Sequence, residues 1–139
     1  MQKTLVLIAH DNKKPAMVQW ARRHHACLSR HKIHSTHTTG QLLQEGAGLK
    51  VECLLSGPLG GDAQVGALVA SKQISAVIFF VDPLTAMPHD PDIKMLMRIC
   101  DVHNVPLATN PATAECILRS HLLEEGPLIL PGSPRPRGA

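Results

Sequence analysis

The sequence predicts an α/β fold, a single-domain doubly wound parallel sheet of about five strands with helices on both faces. Strand-like and helix-like segments alternate along the chain, which is typical of parallel strands joined by helical crossovers. Residues 5–9 and 77–81 are continuously apolar, as expected of strands covered on both faces. The chain has 139 residues, too few for a (β/α)₈ barrel, which needs about 250.

Weaker patterns predict the remaining elements. Further strands are expected at residues 33–36, 51–55 and 105–109. Helical spacing of apolar residues predicts helices over 15–29, 62–72, 91–103 and 111–121, and a short helix beginning at Gln41. Asp90 suits the N-cap of the helix that starts with Pro91. We expect one domain over residues 1–130, and a tail over 131–139 that is mobile or docked on a neighbouring subunit.

Composition narrows the class of function. The chain has 2% aromatic residues and a formal net charge of +3, which argues against a nucleic-acid partner and is compatible with a small anionic substrate. The four cysteines form no CxxC pair and are interpreted as buried free thiols in a reducing compartment. No apolar run approaches the ~20 residues of a membrane helix, and the first residues lead directly into a strand. We therefore expect a cytoplasmic protein without a signal peptide or a membrane partner.

Polar loops follow the predicted strands, at the edge where α/β sheets bind ligands. The loop after the second strand carries Thr36, Thr38, Thr39 and Gly40. Hydroxyls and free N–H groups at a helix start suit a phosphate dianion, although an ordinary N-cap cluster has the same pattern. Lys14 could add a positive charge to this edge, or could be a solvated surface residue.

The segment from Ser56 to Asp62 is the most unusual one in the chain. It contains three glycines, which allow the backbone to approach a ligand closely. Asp62 could act as a base on a proton beside a carbonyl if the site were dry enough to raise its pKa. The alternative is a turn in which Asp62 caps the following helix.

Two further loops pair a histidine with carboxylates. They contain His10 with Asp11, and His89 with Asp90 and Asp92. A carboxylate can fix the tautomer of a histidine. A metal site is disfavoured because there is no HxxxH pair or cysteine partner and the acids have helix-capping explanations.

Taken together, these segments resemble the methylglyoxal synthase family. Their order and spacing hold from about residue 4 to residue 118. The matching runs are residues 8–11, 36–40, 56–67, 79–92 and 106–110.

The resemblance implies a carbon–oxygen lyase that converts dihydroxyacetone phosphate to methylglyoxal and inorganic phosphate, without a metal or organic cofactor. Asp62 would abstract a proton to give an enediol(ate), and His89 would polarise substrate oxygens and move protons. The residues implied in holding the substrate, mainly its phosphate, are His10, Lys14, Thr36, Thr38, Thr39, Ser56, Gly57 and His89. His37 of the same loop is a further candidate contact, although its side chain could instead clash with the phosphate or point to solvent. The acids implied in orienting these groups are Asp11, Asp82 and Asp92. The resemblance also implies a homohexamer, with phosphate as a product and a possible inhibitor.

This chain departs from the family's pattern at two places. His37 stands where the family usually has glycine, and a family arginine near the C-terminus has no clear match, although Arg135 or Arg137 could replace it. Two alternatives to the lyase stay open: a regulatory module that binds a phosphorylated effector without turnover, and an isomerase acting on the same substrate.

Overall fold

A single parallel sheet organises the computed structural model, which describes residues 3–85 and 93–120. The strands are β1 (Thr4–Ala9), β2 (Lys32–Ser35), β3 (Glu52–Cys53), β4 (Ala76–Phe80) and β5 (Leu107–Ala108). The helices are α1 (Lys14–Arg23), α2 (His25–Leu28), α3 (His37–Ala47), α4 (Gly61–Ala70), α5 (Ile93–His103) and α6 (Pro111–Leu118). Single 3₁₀ turns cover Asp11–Lys13 and Gly57–Leu59.

The strand order is β3-β2-β1-β4-β5, and every pairing is parallel. Strand β1 therefore lies between β2, the next strand along the chain, and β4, which comes much later. The direction of winding reverses between β1 and β4, and ligands of open α/β sheets bind outside the carboxyl ends of the strands at such a point. The predicted fold class is confirmed.

Side chains that alternate along β1 pack into two separate hydrophobic cores. Leu5 and Leu7 belong to the core that includes Met17 of α1 and Leu43 of α3. Val6 and Ile8 belong to the opposite core, which includes side chains of α4 and α5. Both faces of the sheet are thus covered, which explains why β1 and β4 are continuously apolar in sequence.

Several predicted boundaries are corrected by the structure. The helix expected over residues 15–29 is interrupted at His24, whose ψ of 22° lies outside the helical range. The strands expected over 51–55 and 105–109 pair over two residues each at the sheet edges, β3 and β5. The helix expected to begin at Gln41 begins at His37.

The cysteines are free thiols, as predicted, but they are not all buried. Cys53 and Cys116 are exposed, Cys27 is half-buried and Cys100 is buried. Burial raises the pKa of the Cys100 thiol to about 11 because desolvation disfavours the thiolate.

In residues 3–85 and 93–120, no helix is both long and apolar enough to cross a membrane.

Candidate active site

A cavity of about 200 Å³ opens at the carboxyl ends of β1, β2 and β3. It is smaller than pockets for drug-sized ligands, which are about 300–1,000 Å³. Six of the predicted site residues form its wall together with Ala9 and Pro58: Asp11, Lys14, Thr36, Thr38, Ser56 and Gly57. Side chains from three separate loops therefore converge on one small space.

The threonine-rich segment forms the start of α3. Thr36 is the N-cap, is buried, and makes no side-chain capping hydrogen bond. The first N–H groups of a helix have no acceptor within it, so they remain available to an anion near Thr36 and Thr38. Thr39 is 2% exposed and does not line the cavity, and its hydroxyl has no hydrogen-bond partner among the described residues.

Gly40, which was predicted to lie in a loop, lies within the first turns of α3. A Cβ on Gly40 would lie 2.5 Å from Sγ of Cys53 and 3.5 Å from Cβ of Ser35. The glycine thus allows the first turn of α3 to pack closely against β3 and the end of β2. It is a packing residue within the helix.

Lys14 and Asp11 form an ion pair in the cavity wall. The Lys14 ammonium lies 2.5 Å from Oδ1 of Asp11 and donates to the carbonyl oxygen of Ala9 at 3.2 Å. The lysine side chain is 14% exposed, so its amine is held at the site rather than extended into solvent. The alternative of a solvated surface lysine is wrong.

His10 is 6% exposed and packs edge-on against Phe79, with ring centroids 5.0 Å apart. Its backbone N–H donates to the Phe80 carbonyl oxygen at 3.0 Å, which fixes the residue between β1 and β4. Its Nδ1 accepts a hydrogen bond from the backbone N–H of Asp82 at 2.9 Å. The neutral ring therefore has its proton on Nε2, where it can be donated.

Asp82 orients His10 through its main chain, while its carboxylate stabilises the turn after β4. The carboxylate accepts hydrogen bonds from Asn12 Nδ2 at 2.9 Å and from the N–H groups of Leu84 at 3.1 Å and Thr85 at 3.2 Å. The Asn12 side chain, followed by the Leu84 N–H, lowers the pKa of Asp82 because these bonds favour the charged form. Asn12 is thus a supporting residue that the sequence did not reveal.

The glycine-rich segment forms a closed turn between β3 and α4. The carbonyl oxygen of Ser56 accepts hydrogen bonds from Leu59 at 3.0 Å and Gly61 at 2.8 Å. Gly60 has a φ of 107°, a left-handed conformation that favours glycine. A Cβ on Gly61 would lie 2.0 Å from the carbonyl oxygen of Leu55, so only glycine fits there.

Asp62 is the second residue of α4 and is half-buried. The N-cap is Gly60, so the alternative in which Asp62 caps the helix is wrong. Asp62 is not part of the wall of the 200 Å³ cavity. The turn described above joins it to Ser56 and Gly57, which do line that cavity.

The remaining predicted site residues lie elsewhere. His37 is exposed at the start of α3 and does not line the cavity. His89, Asp90 and Asp92 lie outside the described residues, as do Arg135, Arg137 and the predicted tail. In the described part of the chain, no group of three or more His, Cys, Asp or Glu side chains could hold a metal ion.

A second cavity, of about 520 Å³, lies near the carboxyl ends of β4 and β5. Its wall is mainly apolar and includes Phe80, Val81, Ile93 and Met97. None of the predicted site residues within 3–85 and 93–120 lines it. Six of those residues line the smaller cavity instead.

Comparison with known proteins decides the family. A family model described as "MGS-like domain" matches residues 16–109. A methylglyoxal synthase of Pseudoalteromonas atlantica is 52% identical over 126 residues, covering 91% of this chain and 93% of the relative. The chain belongs to the methylglyoxal synthase family.

Other members of the family agree with this result. The Caldicellulosiruptor saccharolyticus methylglyoxal synthase is 55% identical over 124 residues, which cover 89% of this chain and 86% of that one. The crystal structure of the Elizabethkingia anophelis methylglyoxal synthase superposes with a TM-score of 0.87 at 41% identity, covering 98% of this chain and 94% of the other. The predicted family and the prediction of an enzyme of this kind are confirmed.

Proposed function

We propose that this protein is a lyase that converts dihydroxyacetone phosphate to methylglyoxal and inorganic phosphate. The observation that supports this most strongly is the convergence of Lys14, Thr36, Thr38, Ser56 and Gly57 on one small cavity. That set combines a cation, hydroxyls and a helix N-terminus, as expected of a phosphate site. Relatives named methylglyoxal synthase share about half of their residues with this chain.

In the proposed mechanism, the phosphate group of the substrate occupies this cavity. The Lys14 ammonium supplies positive charge, and the N–H groups at the start of α3 add donors and the positive end of the helix dipole. Asp11, which lies 2.5 Å from the Lys14 amine, holds that amine in place. Inorganic phosphate, the product, binds the same groups and so competes with the substrate.

Asp62 is proposed as the base. Its carboxylate accepts a proton from the hydroxymethyl carbon beside the carbonyl. The electron pair of that C–H bond forms a C=C bond, and the π pair of the carbonyl moves to its oxygen to give an enediolate. The Nε2–H of His10 is a suitable donor for such an oxyanion, since Nδ1 already accepts from Asp82. By resemblance, His89 would carry protons between the substrate oxygens.

Loss of phosphate completes the reaction. The hydroxyl oxygen on the former hydroxymethyl carbon gives up its proton and forms an aldehyde carbonyl. The C=C double bond shifts to the phosphate-bearing carbon, and the C–O bond to phosphate breaks with its electron pair leaving on the phosphate. The resulting enol takes up a proton at carbon and becomes methylglyoxal. No electrons are gained or lost overall, so the reaction needs no redox cofactor.

We also propose, from the resemblance, that the protein is cytoplasmic and forms a homohexamer.

The proposal is tested with purified protein and dihydroxyacetone phosphate in the absence of added metal. We expect equal amounts of inorganic phosphate and methylglyoxal, and a loss of at least ~10³-fold in rate for Asp62→Asn, because a general base has been removed. Asp101→Asn, which changes an exposed acid of α5, is the matched control. Release of glyceraldehyde 3-phosphate would indicate an isomerase, and binding without turnover by folded protein would indicate a regulatory module.

A further inference from the structure

Gln64, in the first turns of α4, reaches back to the strand that precedes the glycine-rich turn. Its Oε1 accepts a hydrogen bond from the backbone N–H of Leu55 at 2.8 Å. The preceding N–H, that of Leu54, still donates to Ser35 of β2 at 2.7 Å. Leu55 is thus the first residue to leave the sheet, and Gln64 provides its N–H with an acceptor.

The main chain of Leu55 is held on both sides by α4. Its N–H is bound by Gln64, and its carbonyl oxygen packs against Gly61, where a Cβ would lie only 2.0 Å away. Between these contacts, Ser56 closes the turn through the two hydrogen bonds that its carbonyl oxygen accepts. Gln64 therefore joins the two ends of the turn.

The two ends of this turn carry different parts of the proposed site. Ser56 and Gly57, at its beginning, line the 200 Å³ cavity, and Asp62 lies at its end. We propose that Gln64 is a positioning residue that fixes the cavity wall relative to the Asp62 carboxylate. This inference rests on the proposed function, because it assigns Gln64 a role in the same reaction.

A second glutamine of the chain offers a matched control. Gln44 of α3 also makes one side-chain hydrogen bond to the main chain, from Nε2 to the carbonyl oxygen of Val51 at 2.8 Å. Both glutamines lie at exposed positions. Val51 lies before β3, whereas Leu55 follows it and directly precedes the cavity-lining Ser56. Of the two hydrogen bonds, only that of Gln64 is therefore made next to the glycine-rich turn.

The experiment compares Gln64→Met with Gln44→Met, since methionine keeps the length of the side chain and removes the amide. We expect Gln64→Met to lower kcat by about 10- to 100-fold, because small displacements of reacting groups have effects of this size. KM should rise by no more than about threefold, since Lys14, Thr36 and Thr38 keep their places and still supply most of the phosphate contacts. Gln44→Met should change kcat by less than about twofold. A Gln64→Met kcat within about twofold of the Gln44→Met value would overturn the inference.

A rescue variant distinguishes the effect of losing the acceptor oxygen from the effect of changing the shape of the side chain. Gln64→Glu keeps an oxygen that can accept from Leu55, and its added charge is screened at about 0.5 M salt. Under those conditions we expect it to recover most of the kcat lost in Gln64→Met. A Gln64→Glu enzyme as slow as Gln64→Met would also overturn the inference.

Phosphate binding distinguishes failure of this inference from failure of the proposed function. If wild type and Gln44→Met both lack turnover, the proposed function is wrong, and titration with inorganic phosphate still tests the positioning role. Gln64→Met should then shift the amide resonances that Ser56 and Gly57 show in the phosphate-bound protein, with phosphate affinity changed by no more than about threefold, whereas Gln44→Met should leave those resonances in place. Unchanged Ser56 and Gly57 resonances in Gln64→Met would contradict the role of Gln64 independently of catalysis.

Discussion

The backbone N–H of Asp82 lies 2.9 Å from Nδ1 of His10, so the turn after β4 selects the tautomer of a histidine that follows β1. This contact cannot be removed by changing the Asp82 side chain, because it is made by the main chain. The Asp82 carboxylate instead holds Asn12 and the N–H groups of Leu84 and Thr85. His10 and its donor are therefore fixed by two adjacent strands.

This relationship predicts the position of the proton on His10. We expect the Nε2–H tautomer at about pH 8, where most histidine rings are neutral. The ¹⁵N chemical shifts of His10 should show an unprotonated Nδ1 and a protonated Nε2. Asn12→Ala should leave this pattern intact, since it removes a partner of the carboxylate only. An Nδ1–H tautomer would contradict the contact.

Lys14 provides a prediction about charge at the cavity. Lys14→Gln should raise KM for dihydroxyacetone phosphate by about 10- to 100-fold, which corresponds to losing a hydrogen bond to a charged group. Lys32→Gln is the matched control: it removes the same charge from a side chain that pairs loosely with Glu52 at 3.6 Å, at the amino end of β2. Steady-state phosphate release measures both. Equal rises in KM would mean that net charge alone attracts the substrate.

Gly61 predicts a steric requirement at the start of α4. Gly61→Ala should destabilise the protein by about 3 kcal/mol, because backbone atoms of Leu55 cannot move aside cheaply. Gly60→Ala, which meets no atom within 4 Å, should lose only about 1 kcal/mol through its left-handed φ. Urea unfolding monitored by the fluorescence of Trp20, the single tryptophan, gives both values. A larger decrease in the free energy of unfolding for Gly60→Ala than for Gly61→Ala would contradict the close approach of Gly61 to the Leu55 backbone.

Two buried histidines predict how stability depends on pH. Desolvation, followed by the charge of Arg30, lowers the pKa of His31, and desolvation lowers that of His34 despite the opposing effect of Glu52. As pH falls through about 6.5, the unfolded chain takes up protons before the folded chain does, so the free energy of unfolding decreases. The stabilisation is fully present above pH 6.5 and is lost as pH falls towards the lowered pKa values.

Circular dichroism during urea unfolding at pH 7.5, 6.5 and 5.5 measures how steeply the free energy of unfolding changes with pH. We expect this slope to be shallower in the His31→Gln, His34→Gln double variant, whatever the stability of that variant at neutral pH. His37→Gln, at an exposed position, should keep the wild-type slope. A wild-type protein whose stability is constant between pH 7.5 and 5.5 would contradict the prediction.

The central strands were predictable from sequence, while the sheet edges were not. β1 and β4 are covered on both faces, so their residues must be apolar throughout. β3 pairs over only two residues, both exposed, and the same apolar pattern does not arise there. The start of α3 was misplaced because Gly40 indicates a loop by local rules, whereas its contact with Cys53 is a tertiary feature.

The residues of the proposed site were predictable in kind but not in their contacts. Lys14 taken alone resembles any surface lysine, and only the fold shows that its amine lies 2.5 Å from Asp11. Asn12 and Gln64 have no local signature, because their partners, Asp82 and Leu55, are brought to them by the sheet and by the glycine-rich turn. Supporting residues of this kind are defined by geometry that spacing in sequence does not encode.

The place of β1 in the centre of the sheet has a consequence for synthesis of the protein on the ribosome. His10 and Asp82 are 72 positions apart, so at about 5–20 residues per second the second partner emerges roughly 4 to 14 seconds after the first. During that interval one edge of β1 is unpaired, and such edges invite association with other chains. We therefore expect fragments that end before residue 81, in which this edge of β1 stays unpaired, to be recovered mainly as aggregates.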